Sequence, residues 1–215
     1  MSSRASRPSR TDRRRIGLQI ALLYAVLEGA LWTSGEIQTV FVSIVVVILV
    51  GATLWERRFW PGLGIDLKSI TRALWFAPVA AALAGLILLA AWMADTLHVP
   101  PDIGAVWLQG LAYFPWALTQ QFILQSYLFT RLEWLFGSRC AVLGTALLFS
   151  IAHIPNPVLV PVTLVGGLIL CELFRRYRTL YVLALAHALV AVSLAVSVPE
   201  SLLHHMGVGI AYFPR

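Results

Sequence analysis

Charge is what this chain has least of. Charged side chains fill 12% of its 215 positions, against about a quarter in a soluble domain, and that deficit excludes an ordinary water-soluble globule. There is a single lysine, Lys68. The two cysteines, Cys140 and Cys171, both fall near expected cytoplasmic ends of apolar runs, which excludes a disulfide framework and leaves them as small buried hydrophobes. Acids are scarcer than bases, giving a formal net charge of +6. That excess does not indicate nucleic-acid binding, because the basic residues sit between apolar runs and form no face of their own.

What is present is apolar. Hydrophobic residues make up 59% of the sequence and the mean hydropathy is +0.81, arranged in runs that reach membrane-spanning length. The expected fold class is all-α: a polytopic membrane bundle of about seven transmembrane helices. Residues 1–15, with six arginines among Ser, Pro and Thr, read as a disordered basic cytoplasmic tail. No small-residue cleavage site follows, so the first apolar run is read as an uncleaved span. Residues 16–198 read as one transmembrane bundle, with spans near 16–32, 39–55, 73–93, 111–136, 140–153, 158–173 and 179–198, and residues 199–215 as an interfacial C-terminal tail. The segment 56–72 reads as a short amphipathic piece along the interface, Gly85 as a site of close helix packing, and IPNP (residues 154–157) as a tight break. With the N-terminus in the cytoplasm, fifteen of the sixteen basic residues fall on the inner side and Arg215 alone falls outside. The expected location is a bacterial inner (cytoplasmic) membrane.

Residues 111–136, LAYFPWALTQQFILQSYLFTRLEWLF, organise the rest. They form one long apolar helix that carries Gln120, Gln121 and Gln125 in its middle, with Pro115 as a plausible kink near its start. An amide buried without a partner costs about 1–3 kcal/mol, so three of them require facing polar groups or a polar cavity. The other deep polar side chains are His153, His187 and Glu28. Gln121 and Gln125 share a helix face, as do Phe149 and His153. These groups are expected to converge on one site. By residue count, however, His153 falls near the outer end of its span and Gln121 past the middle of its own, so either IPNP dips inward or the Gln-bearing helix starts deeper.

Three segments in order, QQFILQ (120–125), FSIAH (149–153) and HALVA (187–191), resemble the motifs EExxxR, FxxxH and HxxxN of the CPBP family, the CAAX proteases and bacteriocin-processing enzymes, which includes the type II CAAX prenyl endopeptidases. The resemblance covers about residues 105–195. It implies an intramembrane endopeptidase in which a glutamate activates water while histidine and asparagine stabilise the oxyanion. The matching catalytic positions are Gln120, Gln121, Gln125, His153 and His187, with Phe149 and Ala191 in the pocket. Only the phenylalanine and the two histidines are kept. Both glutamates are glutamine here, the arginine is Gln125 and the asparagine is Ala191. A glutamine amide takes up no proton near neutral pH, so the base is missing unless a histidine or Glu28 replaces it.

Other uses of these residues stand beside that one. Glu28 is either a substitute acid or a protonated, hydrogen-bonded group. His153 and His187 are either site residues or hydrogen-bond bridges between helices. Zinc needs at least three well-placed ligands, and two deep histidines supply neither that nor a strong case for haem, so no metal and no cofactor is expected. Glu172 is expected to pair with Arg175 and Arg176, and Glu133 to sit beside Arg131 at a boundary. His204 and His205, past the last span, are expected to meet solvent or headgroups. The functions in view are an endopeptidase with an altered base, an inactive family member that binds a membrane partner or peptide, and a lipid- or small-molecule-processing membrane protein. Expected partners are membrane lipid and a membrane-associated peptide or protein, not nucleic acid.

Overall fold

The computed structural model describes residues 9–99 and 103–213, with side chains described among these except at 103–110. The long elements are α1 (Arg10–Trp32), α2 (Gly35–Trp55), α4 (Phe76–Met93), α5 (Ile103–Gln121), α7 (Ser138–Ile151), α8 (Leu159–Tyr177) and α9 (Tyr181–Ser197). The shorter ones are α3 (Ile70–Ala73), α6 (Thr130–Phe136) and α10 (Glu200–Leu203). A π-helical segment, Phe122–Phe129, joins α5 to α6. No strand occurs among the described residues. Among the described residues three helices are long and apolar enough to cross a membrane: α1, α2 and α4. On α2, Val40, Val46, Val47 and Val50 all point outward, a surface suited to lipid and not to water.

Helices pack as α1 on α2, α7 on α8, and α9 against both α4 and α5. Small residues set the closest approaches. A Cβ on Gly167 would lie 3.2 Å from Ala146, which brings α8 directly onto α7. Gly85 has open space around it, so the close packing expected there is absent; α4 instead turns Ala80, Ala84 and Ala91 inward. One apolar core joins Phe129, Phe174, Leu180 and Leu183. A second joins Leu23 of α1 and Val45 and Leu49 of α2 to Tyr127 and Leu128.

Several boundaries differ from the sequence reading. The basic segment is helical from Arg10, because Ser9 caps it by accepting from Asp12 N–H at 3.1 Å; residues 1–8 lie outside the described residues. The C-terminal segment does not merely lie at an interface. Asn156, fully buried in the IPNP turn, donates to the carbonyls of Leu203 (2.8 Å) and Gly207 (3.1 Å). Gly209 N–H donates to Ile154 at 2.8 Å, and Gly209 approaches the Leu31 carbonyl so closely that a Cβ would sit 2.1 Å from it. The chain end thus straps the turn to the end of α1. Residues 214–215 lie outside the described residues. Cys171 is buried as expected, but Cys140 is exposed, and both are free.

The segment 56–72 also departs from expectation. It tucks into one end of the bundle, with Phe59 and Leu63 buried. Its carbonyls are the reason: Leu63 accepts from the Ser126 hydroxyl at 2.5 Å, Gly64 from Leu180 N–H at 2.9 Å, and Ile65 from the Tyr181 hydroxyl at 3.1 Å. Gly64 has φ +74° and a Cβ there would meet the Phe174 ring at 2.5 Å, so no other residue fits.

Arg131 supplies the second reason. It is 1% exposed and is not paired with its neighbour Glu133. Its guanidinium donates to Glu56 at 3.0 Å and lies 3.6 Å from the centre of the Tyr127 ring. Glu56, itself buried, also accepts from Arg15 at 3.1 Å and Gln19 at 3.4 Å, tying α1 to the same point. Glu133 pairs instead with Arg178 at the end of α8, while Glu172 pairs with Arg175 and Arg176 as expected. Glu56→Leu should therefore strand a buried cation and lower stability by about 3–5 kcal/mol, whereas the Glu56→Leu/Arg131→Met double variant should recover most of it. Thermal unfolding of the detergent-solubilised chain measures both.

Candidate functional site

The helix that begins as α5 changes winding just where its glutamines lie. Gln121 ends the α-helical part, and Phe122–Phe129 take the wider π form before α6 resumes. From Leu124 to Phe129 every residue is buried, so this stretch has no outer face on which to leave polar atoms. The π winding spreads its side chains around the full circumference, toward α7, α8 and the tucked segment; such segments recur at functional sites.

On this frame Gln121 and Gln125, both fully buried, make a short polar chain. Gln125 Nε2 donates to Gln121 Oε1 at 3.3 Å. Gln121 Nε2 lies 3.0 Å from His187 Nδ1 on α9. With the amide as donor, His187 Nδ1 is the acceptor and the ring hydrogen sits on Nε2. The Phe149 ring of α7 stands between the two histidines, with centroids 4.7 Å from His153 and 5.9 Å from His187. His153 Nδ1 is 2.7 Å from the Phe149 carbonyl. A carbonyl only accepts, so this Nδ1 carries the hydrogen and Nε2 of the neutral ring offers a lone pair. The two imidazoles thus offer opposite functions, a donor on His187 and an acceptor on His153.

The structure brings together Gln121, Gln125, His153, His187 and Phe149. Ala191 is buried one turn beyond His187 and gives the site only a methyl group where the resembling motif has an asparagine. Gln120 stands apart: it is half-buried and its Oε1 is enclosed with no partner among the described residues. Adjacent residues on a helix point about 100° apart, so Gln120 and Gln121 cannot both face α9. Glu28 also stands apart. It faces Tyr24 on its own helix, and the Tyr24 hydroxyl donates to the Leu148 carbonyl at 2.9 Å. Among the described residues no carboxylate hydrogen-bonds to the Gln–His group, and no three His, Cys, Asp or Glu side chains converge as metal ligands would.

The depth problem has a simple resolution. The turn between α6 and α7 is a single glycine, Gly137 at φ +85°, so the two helices climb together from one end. Gln121 lies fifteen residues before Phe136 and His153 fifteen residues after Ser138. They reach similar heights, and α7, 14 residues or about 21 Å long, ends at the strapped IPNP turn.

Two neighbours went unread in the sequence. The Tyr113 ring centroid lies 6.3 Å from that of His187, and Tyr113, Ala117, Gln121 and Gln125 follow at steps of four on one face, a periodicity that pointed to it. Cys171 of α8 sits against Gln125, and no sequence spacing connects them. Replacing Gln121 with Leu should leave both His187 Nδ1 and the Gln125 amide without partners, at a cost of about 1–3 kcal/mol. Gln120→Leu removes no hydrogen bond among the described residues and should cost less. Comparing the unfolding temperatures of the two variants separates them.

A family model described as Rce1-like, Type II CAAX prenyl endopeptidase Rce1-like, matches residues 102–193, which run from the start of α5 into α9 and include each of the Gln and His residues of the site. No curated protein and no solved structure matches the chain. A bundle with membrane-length apolar helices and this matched segment support one reading: a membrane protein with a segment, residues 102–193, similar to the type II CAAX prenyl endopeptidase Rce1-like family.

Proposed function

We propose that this protein binds a membrane-associated peptide or protein in its interior site through uncharged hydrogen-bonding groups, and does not cut it by the carboxylate route of its family. The observation that carries this is the Gln125–Gln121–His187 chain, with contacts of 3.3 Å and 3.0 Å. Peptide hydrolysis by water needs a group that accepts a proton as the water attacks. At Gln120 and Gln121 there is none, and Glu28 makes no hydrogen bond to the group. What remains is a donor on His187, a lone pair on His153 and amides between them, which suits recognition of a peptide backbone.

One observation favours a second reading, hydrolysis with His153 as base. Its Nδ1 is anchored on the Phe149 carbonyl at 2.7 Å, which orients Nε2 as a base must be oriented, and the Nε2–H of His187 is placed to donate to a developing oxyanion.

The proposed topology has seven crossings, α1, α2, α4, the continuous 103–136 helix, α7, α8 and α9, with the N-terminus in the cytoplasm of a bacterial inner membrane. The inward bias of the basic residues supports it.

A membrane-tethered peptide reporter co-expressed with the chain tests the functional reading. The parent should leave the reporter intact, and Gln120→Glu/Gln121→Glu should gain cleavage. Cleavage by the parent that His153→Ala abolishes would establish the second reading instead. For the topology, reporter fusions ending at residue 97 should score as external and those ending at residue 137 as cytoplasmic; the reverse pattern would invert the bundle.

A further inference from the structure

Away from the Gln–His site, a groove of about 350 Å³ opens between the α3–α4 junction and the last turns of α8. We infer that it holds one anionic glycerophospholipid, with an acyl chain in the groove and the phosphate on Arg176. The inference is independent of whether the interior site binds or cuts a peptide.

The walls combine apolar and charged side chains of α8. Ile169 and Leu173 are its apolar lining, with Ile169 47% exposed to the surroundings. Trp75 and Tyr177 also line it and meet edge to face, their ring centroids 6.1 Å apart at 67°. Amphipathic rings of this kind sit at the level of lipid headgroups. Glu172 and Arg176 line the same groove, so apolar, aromatic and charged side chains meet within about two turns of α8.

The charge at the rim is of one sign once its internal pairs are made. Glu172 is fully engaged: Arg175 donates to it through Nε and Nη2, both at 2.7 Å, and Arg176 through Nε at 2.6 Å. Two guanidinium groups share one carboxylate, so one positive charge is in excess. The terminal Nη groups of Arg176 make no hydrogen bond among the described residues, and its side chain is 59% exposed. Arg72 adds to this. It lies three residues before Trp75, and Leu74 and Trp75 continue α3 with helical dihedrals, so Arg72 and Trp75 share a face. A phosphate diester meets the free Nη groups of Arg176, with Arg72 adding positive charge on the helix face it shares with Trp75. A zwitterionic lipid would bring its own cation to the same rim. Basic pockets between helices on the cytoplasmic side of a membrane bind anionic headgroups, and the volume is within the range of small-molecule sites.

Native mass spectrometry of the full chain, purified in micelles doped equally with phosphatidylglycerol and phosphatidylcholine, tests the site. One phosphatidylglycerol should be retained in preference. Arg176→Gln and Arg72→Gln should each weaken retention about fivefold, while Arg139→Gln, an exposed arginine outside the groove, should leave it unchanged. Ile169→Trp, which fills the trough and keeps every charge, should also lose the lipid. Unfolding temperatures without added lipid report whether each variant is folded, and the other variants carry the test if one is not. Equal retention of the two lipids would overturn the inference. So would an Arg139→Gln loss as large as that of Arg176→Gln, which would indicate only a diffuse basic surface, or full retention by Ile169→Trp.

Discussion

A polar group enclosed by hydrocarbon has to find a partner or forfeit its hydration without return. Several long-range contacts of this bundle answer that demand, and three of them start from one helical run, residues 103–136. Gln121 reaches α9 through His187, Ser126 reaches the tucked segment through the Leu63 carbonyl, and Arg131 reaches Glu56 at the end of α2. Each polar side chain thereby names a neighbour. Apolar packing fills the space between them, but hydrocarbon surrounded by lipid has little preference for one helix over another. The hydrogen bonds and the deeply buried Glu56–Arg131 pair supply the register.

The same demand explains which parts of the molecule were legible in the sequence. Apolar runs gave the long helices, and three misplaced amides gave the existence of a site, because both are departures from a uniform background. Gln121, Gln125, His153 and His187 could be read as partners since each lay in a run with no other use for it. Glu56 and Arg131 could not. Both lie at the ends of apolar runs, where charge is ordinary, and nothing local distinguishes a charge that faces headgroups from one that turns inward. The fold of segment 56–72 was hidden for a related reason: three backbone carbonyls direct it, and the backbone carries no sequence. The π winding of Phe122–Phe129 was equally invisible, being the response of one helix to partners on several sides.

Geometry at the two ends of the bundle also separates what positions the site from what the site does. The one-glycine turn at Gly137 fixes the relative height of Gln121 and His153, and the strap from Asn156 to Leu203 and Gly207 holds the top of α7 where His153 must be. Both devices work without regard to whether residue 121 is an acid or an amide. A site of this family can therefore change its charge and keep its shape.

That freedom has a limit, and the limit bears on how the site came to be neutral. The resembling motif has two acids at positions 120 and 121 and a base at 125. Positions 121 and 125 are one helical turn apart and touch at 3.3 Å as two amides. Replacing an acid alone would leave an arginine at position 125 buried opposite an amide, and removing one partner of a buried pair costs several kcal/mol. Replacing the arginine alone would strand a carboxylate. Glutamine at all three positions is the solution in which no charge is stranded and the side chain at 121 still bridges to α9. The Gln125–Gln121–His187 contacts form a hydrogen-bond framework without charge, and the amides at positions 120 and 121 take no proton from water. Conversion back is correspondingly constrained: a carboxylate at 121 would face Gln125 with no cation beside it, so it would need His187 to take up a proton and serve as its partner, which ties any regained basicity at 121 to the charge state of that histidine.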